Sequence, residues 1–188
     1  MLLPIVQFGN PVLRRKGARI EKITPEIARL IDDMIETMHD AAGVGLAAQQ
    51  IGQALQLCVL DVREAKDRPS TLEIAGEPAD VAAFMPLILI NPQIKPMGDP
   101  EDGAEGCLSF PEVYGDIARP SHVEVNATNE KGERIAFKAG GLLSRAVQHE
   151  FDHLQGTLFI DRMSTKVRTE VQKEIDAIQA ATKAALKK

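Results

Sequence analysis

Apolar side chains recur along the chain with both helical and extended spacing, so both kinds of element are expected. Ile27, Leu30, Ile31, Met34, Ile35 and Met38 return every three or four residues, and Thr24-Pro25-Glu26 supplies an N-cap, a first-turn proline and a first-turn acid. This predicts a helix from about Pro25 to Ala41. Leu55 to Val62 reads as a buried strand, and Leu87-Ile88-Leu89-Ile90 as another, closed by Asn91-Pro92. His122 to Thr128 and Arg134 to Lys138 flank the turn Asn129-Glu130-Lys131-Gly132, an antiparallel hairpin pattern. Leu143, Val147, Phe151 and Leu154 form the apolar stripe of a second helix, preceded by Gly140-Gly141 and ended by Gly156 in a left-handed cap. Val167, Val171, Ile175, Ile178, Ala181 and Ala185 predict a C-terminal amphipathic helix over residues 165 to 188, with a basic end.

The segments between have no period. Gly43 to Gly52 is rich in glycine and alanine, which lets backbone approach a neighbour closely, but it has neither a dinucleotide fingerprint nor a phosphate-loop Lys-Ser/Thr. Residues 64 to 84 read as a surface insertion, and Pro96 to Gly106, rich in glycine, proline and acids, as a loop. The expected class is α+β: antiparallel sheet around a central helix, with one helix before it and one after, in a single domain spanning 1–188.

Composition narrows the function. With 22 basic and 27 acidic side chains the net charge is −5, so the surface is no general trap for DNA. No run of about 18 apolar residues occurs, and the first eight residues lack the layout of a signal peptide, so neither a membrane nor an export partner is expected. Cys58 and Cys107 are too few for a disulfide framework, which points to a reducing, cytoplasmic setting. Cys58 lies mid-strand and reads as core. His39 at a helix C-terminus and His122 at a strand start read as solvent-facing.

The chemistry is concentrated in Gln148-His149-Glu150-Phe151-Asp152-His153-Leu154. His149 and His153 are four apart on a helix, so both imidazoles can reach one metal ion at about 2.0 to 2.1 Å, and Glu150 can reach water bound to it. A catalytic site of this kind needs a third protein ligand. Downstream of His153 there is no further histidine, and the nearest acids are Asp161 and Glu170, so the usual metalloprotease patterns are poorly matched. Cys107, in a glycine-flanked loop, is the better candidate, giving two imidazoles, a thiolate and one open position.

Three segments, Gly43-Val44-Gly45-Leu46-Ala47-Ala48-Gln49-Gln50, Glu105-Gly106-Cys107-Leu108-Ser109 and the histidine helix, resemble in order the signature segments of peptide deformylases, with a similar layout from Pro4 to Met163. The resemblance implies removal of the formyl group from N-formylmethionyl nascent peptides. It implies Cys107, His149 and His153 as metal ligands, with ferrous iron in the cell and zinc, nickel or cobalt able to substitute. Glu150 would be general base and then acid, Gln50 and the Leu108 N–H would hold the formyl oxygen, Gly45 would pair with substrate main chain, and Val44 would line the methionine pocket. Glu105 looks structural, paired with Arg119. By family analogy, the C-terminal helix with Lys183, Lys187 and Lys188 could meet the ribosome in a bacterial cytoplasm. A generic zinc endopeptidase would share only the helix motif, a thiol hydrolase would use Cys107 as nucleophile, and a closed structural metal site would have no use for Glu150.

Overall fold

The computed structural model describes residues 1–188. Seven strands form one antiparallel sheet in the order β1-β2-β5-β6-β7-β3-β4. They are β1 (Gly45–Ala47), β2 (Leu57–Leu60), β3 (Ser70–Ile74), β4 (Glu77–Pro78), β5 (Leu87–Cys107), β6 (Phe110–Thr128) and β7 (Arg134–Gly140). The helices are α1 (Pro25–Asp40), α2 (Gly141–Leu154) and α3 (Thr165–Leu186), so the expected α+β arrangement around a central helix is found. No helix is long and apolar enough to cross a membrane.

Each end of the sheet has a packed face because the buried strands alternate. On β2 and the start of β5, Leu57, Val59, Ile88 and Ile90 turn toward Ile31, Met34 and Met38 of α1, while Cys58, Leu60, Leu87 and Leu89 join the core that holds α2. A third cluster, built on the stacked and edge-on rings of Phe8, Phe110 and Phe159, receives Ile175 of α3. The α3 stripe buries its first turns only: Val171, Ile175 and Ile178 pack, whereas Ala181, Ala185 and Leu186 are exposed. Thr24 and Ser164 cap α1 and α3 by accepting from the N–H groups of Ile27 and Val167.

Two stretches without period turn out to be ordered strand. Pro96 to Gly106, expected as a loop, continues β5, and Asn91-Pro92 does not close it. Pro92 and Pro100 fall at slips of the β5–β6 register, Ile90/Gln93 and Met97/Pro100, where the ladder is interrupted, while Pro96 stays in register opposite Val123; a third slip lies at Gly106/Cys107. Cys107 therefore ends a strand rather than sitting in a loop, and Leu108-Ser109 is the turn into β6. Likewise residues 64 to 84 include β3, which pairs with β7 through Thr71↔Gly140 to Glu73↔Lys138. Neither pairing leaves a local signature, since the partners lie far along the chain.

Eleven of the fourteen residues of α2 are buried. Leu142, Leu143, Ala146, Val147 and Leu154 enter the large core, and the helix's polar residues are enclosed as well, because its other face is the site. Gly141 opens α2 at φ +65°, where any Cβ would strike Pro69 O, and Gly156 ends it at φ +77° as expected. Leu143→Ala, at a position with no exposed surface, is expected to cost about 2–5 kcal/mol, read as a lower urea midpoint at unchanged slope.

Candidate metal centre

The donor atoms of Cys107, His149 and His153 all lie within 4.8 Å of one another. Cys107 Sγ is 3.4 Å from His153 Nε2. Ligands at 2.0–2.3 Å around a tetrahedral ion stand roughly 3.3–3.7 Å apart, so Cys107 and His153 already stand at ligand spacing and the donor set suits one divalent cation. The three come from two parts of the chain, the end of β5 and one turn of α2. The turn of α2 between His149 and His153 stacks their rings edge-on with centroids 5.1 Å apart, and the register slip at Gly106/Cys107 sets the thiol against them.

Glu105, two residues before Cys107, orients the first imidazole. Its Oε1 lies 2.8 Å from His149 Nδ1, leaving Nε2 to face the triad. The same carboxylate accepts from Arg119 Nε at 2.6 Å and Arg145 Nη1 at 2.8 Å. Arg119 continues to Asp152 at 3.0 Å, which Arg162 also holds at 2.9 Å. Glu105 is thus paired with Arg119 as expected, but its bond to His149 makes it part of the centre. Sequence reasoning missed that bond, and with it Arg145, Asp152 and Arg162. The signal available was the carboxylate beside a ligand and the Asp between two histidines.

The charges follow from this network. Burial would raise the Glu105 carboxyl, but the bonds from His149 and Arg119 bring it down to about 2. Burial disfavours charge on both imidazoles; Cys107 and Glu105 nonetheless draw a proton onto His149, whose pKa rises, while burial and His149 drive that of His153 down. A cation entering the triad would displace that proton. Glu150 is pushed up to about 7, first by burial and also by Glu105 and Asp152, and its Oε2 has no hydrogen-bond partner.

A groove of about 650 Å³ opens onto these atoms. One wall is the segment from Ala41 to Gly45 and the other the α2 face carrying Leu142, Ala146 and His149, with Tyr114, 65 % exposed, at the rim. Gly45 packs against the Glu150 carboxylate so closely that any Cβ would overlap Oε1. It lies on β1, the edge of the sheet, which pairs only with β2. Gln50 Oε1 accepts from the Ala47 N–H at 2.9 Å, which turns its amide nitrogen toward Ser109 Oγ at 3.3 Å and Cys107 Sγ at 3.5 Å. The Leu108 N–H has no acceptor within the chain. Val44 lines the groove, and its carbonyl accepts from Asp61 N–H at 2.9 Å. Seven of the eight residues singled out from the sequence line this groove, and the eighth, His153, lies behind it in the donor triad.

The other histidines differ from expectation in detail. His39 is half exposed but not simply solvated: its Nε2 is 2.9 Å from Asp61 Oδ2. Burial of Asp61 is outweighed by Arg63 and His39, leaving its carboxyl at about 2. His122 is half-buried, with Nδ1 2.8 Å from Ser121 Oγ. Cys58 is core, as expected.

A thiol and two helical imidazoles around one point, with an unpartnered carboxyl group in the groove beside them, define a metal-dependent hydrolase. The family model for polypeptide deformylases matches residues 2–169, and the chain belongs to that family, metal-dependent enzymes that remove the formyl group from N-terminal methionine. It is 46% identical over 179 residues to the peptide deformylase of Methylacidiphilum infernorum, covering 95% of this chain and 94% of that one. It is 44% identical over 191 residues to that of Opitutus terrae, covering 100% and 98%. Among solved structures, a Synechococcus elongatus peptide deformylase in complex with actinonin superposes with a TM-score of 0.78 at 39% identity, covering 94% of this chain and 85% of that one. A Legionella pneumophila peptide deformylase gives 0.78 at 31% identity, covering 96% and 97%.

Because Glu105 fixes His149 and is itself fixed by two arginines, Glu105→Gln is expected to weaken metal binding about 10- to 100-fold. Titration against a competing chelator checks this; an unchanged affinity would show the bond to be dispensable.

Proposed function

We propose that Cys107, His149 and His153 hold one divalent cation and that Glu150, Gln50 and Leu108 carry out deformylation of formylmethionyl peptides beside it. What carries this reading is the convergence of the three donors within 4.8 Å next to a buried carboxyl whose Oε2 has no partner. Ferrous iron is the ion we assign from the family resemblance, with zinc, nickel or cobalt able to substitute; imidazole ligands suit all of these ions, and the thiolate is the softer donor that zinc accepts readily. A cation held by Cys107, His149 and His153 would supply Lewis acidity, enough to lower the pKa of the attacking water toward about 7.

The chain's own groups do the rest. Glu150, poised at about 7, takes a proton from the attacking water and delivers it to the amide nitrogen as the C–N bond breaks, so formate and a free amine leave. The Gln50 amide nitrogen and the free Leu108 N–H would donate to the formyl oxygen, where each donor is worth about 10² to 10³ in rate as negative charge develops. Gly45, on an unpaired sheet edge, hydrogen-bonds the substrate main chain as an added strand would. Val44 lines the pocket for the methionine side chain. Residues 1–188 act as one catalytic domain.

Formyl-Met-Ala-Ser should be hydrolysed and an internal amide of a blocked peptide left intact, with activity lost on chelation. Glu150→Gln is expected to keep its metal and lose at least about 10² in turnover, whereas Cys107→Ala should lose the metal. Normal turnover in the first, or full metal occupancy in the second, would refute the roles given.

We also propose that the exposed end of α3, with Lys183, Lys187 and Lys188, contacts the ribosome, where formylated chains emerge. The support is that this end leaves the packed body and carries the basic side chains. Truncation after Ala180 should reduce co-sedimentation with ribosomes; unchanged co-sedimentation would remove the proposal.

A further inference from the structure

Beside the catalytic groove lies a second cavity of about 230 Å³, lined by Asp67, Glu101 and Asp102 among others. Three residues line both spaces: Arg68, Leu142 and Arg145. They are the partition between them.

The three are not equally fixed. Leu142 is buried in the first turn of α2, with its N–H on Pro69 O at 3.0 Å. Arg145 is pinned by Glu105 at 2.8 Å, Ile117 O at 2.7 Å and Glu101 O at 2.7 Å. Arg68 is exposed and held by a single hydrogen bond, from Nη1 to Ala104 O at 3.1 Å. It is therefore the one member of the wall that a substitution can remove without either opening the core at Leu142 or unpairing the charge network at Arg145.

Its place matters because of what leads to it. His149, Ala146 and Leu142 line the groove along one face of α2, a strip roughly 10 Å long at 1.5 Å per residue. A side chain that enters beside His149 and follows Ala146 arrives at Leu142 and the Arg68 guanidinium. Taking the deformylase reading as its basis, we infer that Arg68 is the end-stop of the pocket for the substrate's first side chain and sets the longest side chain accepted there. Beyond the stop the lining is polar, with three acids and three arginines around a single apolar residue, Leu142, so the wall also separates a more apolar pocket from a polar one.

The test compares kcat/KM for formyl-Met-Ala-Ser with that for the same peptide bearing 2-aminooctanoic acid, two side-chain atoms longer, as its first residue. The ratio of long to short substrate is expected to rise about tenfold in Arg68→Ala and to stay within about twofold in Arg68→Lys, which keeps a long stem and a donor for Ala104 O. A ratio that stays put in Arg68→Ala, or that rises as much in Arg68→Lys, overturns the end-stop while wild-type turnover of formyl-Met-Ala-Ser leaves the deformylase reading standing. A wild-type protein that hydrolyses neither peptide would sink both.

Discussion

The bond between Glu105 and His149 is the constraint on which the centre depends. A buried carboxylate is costly unless it is fully hydrogen-bonded, and here one carboxylate takes bonds from two guanidiniums and an imidazole at once. The same arginine that neutralises it reaches Asp152 on α2, so the strand bearing the thiol and the helix bearing the imidazoles are tied by a single run of charge. Removing any one member would strand another in the interior. The arrangement is satisfied only when β5, β6 and α2 are all in register.

Around that network the fold supplies contrasts of environment within a few ångströms. Glu105 is held ionised by its partners, while Glu150, one residue from His149 but without a partner on Oε2, is pushed up to about 7 by burial. Two carboxyl groups of the same helix-and-strand pair thus sit in opposite environments, one held ionised against an imidazole and one poised near neutrality. Backbone constraints serve the same end. Gly45 makes room for the Glu150 carboxylate, and the tight turn after Cys107 leaves the Leu108 N–H free to face the groove.

Much of the plan could be read from periodicity. The span of α1, the turn between β6 and β7, the cap at Gly156 and the core role of Cys58 all follow from interactions within a few residues of each position, whereas β6 starts at Phe110, well before the expected His122. The stretch from Pro96 to Gly106 could not be read this way, because its strand character comes from pairing with residues 114 to 123 across a register slip, in a stretch whose prolines and glycines look like loop. Residues 70 to 74 were hidden for the same reason, their partner being β7 more than sixty residues later. His39 was read as solvated since nothing local announces Asp61, which reaches it across the α1–β2 connection.

What the sequence determined by itself was the inventory: two imidazoles one helical turn apart with a carboxylate between them, a cysteine among glycines, and a small-residue segment that permits close approach. These are matters of residue type and short-range spacing, set by covalent and helical geometry. What only the tertiary structure decided was which groups share a site and in which protonation state. That a thiol forty-two residues from the first histidine faces it, that Glu105 grips that histidine, and that Arg68 lines the groove are long-range facts. They arise because burial makes each polar group seek a partner wherever the packed chain provides one.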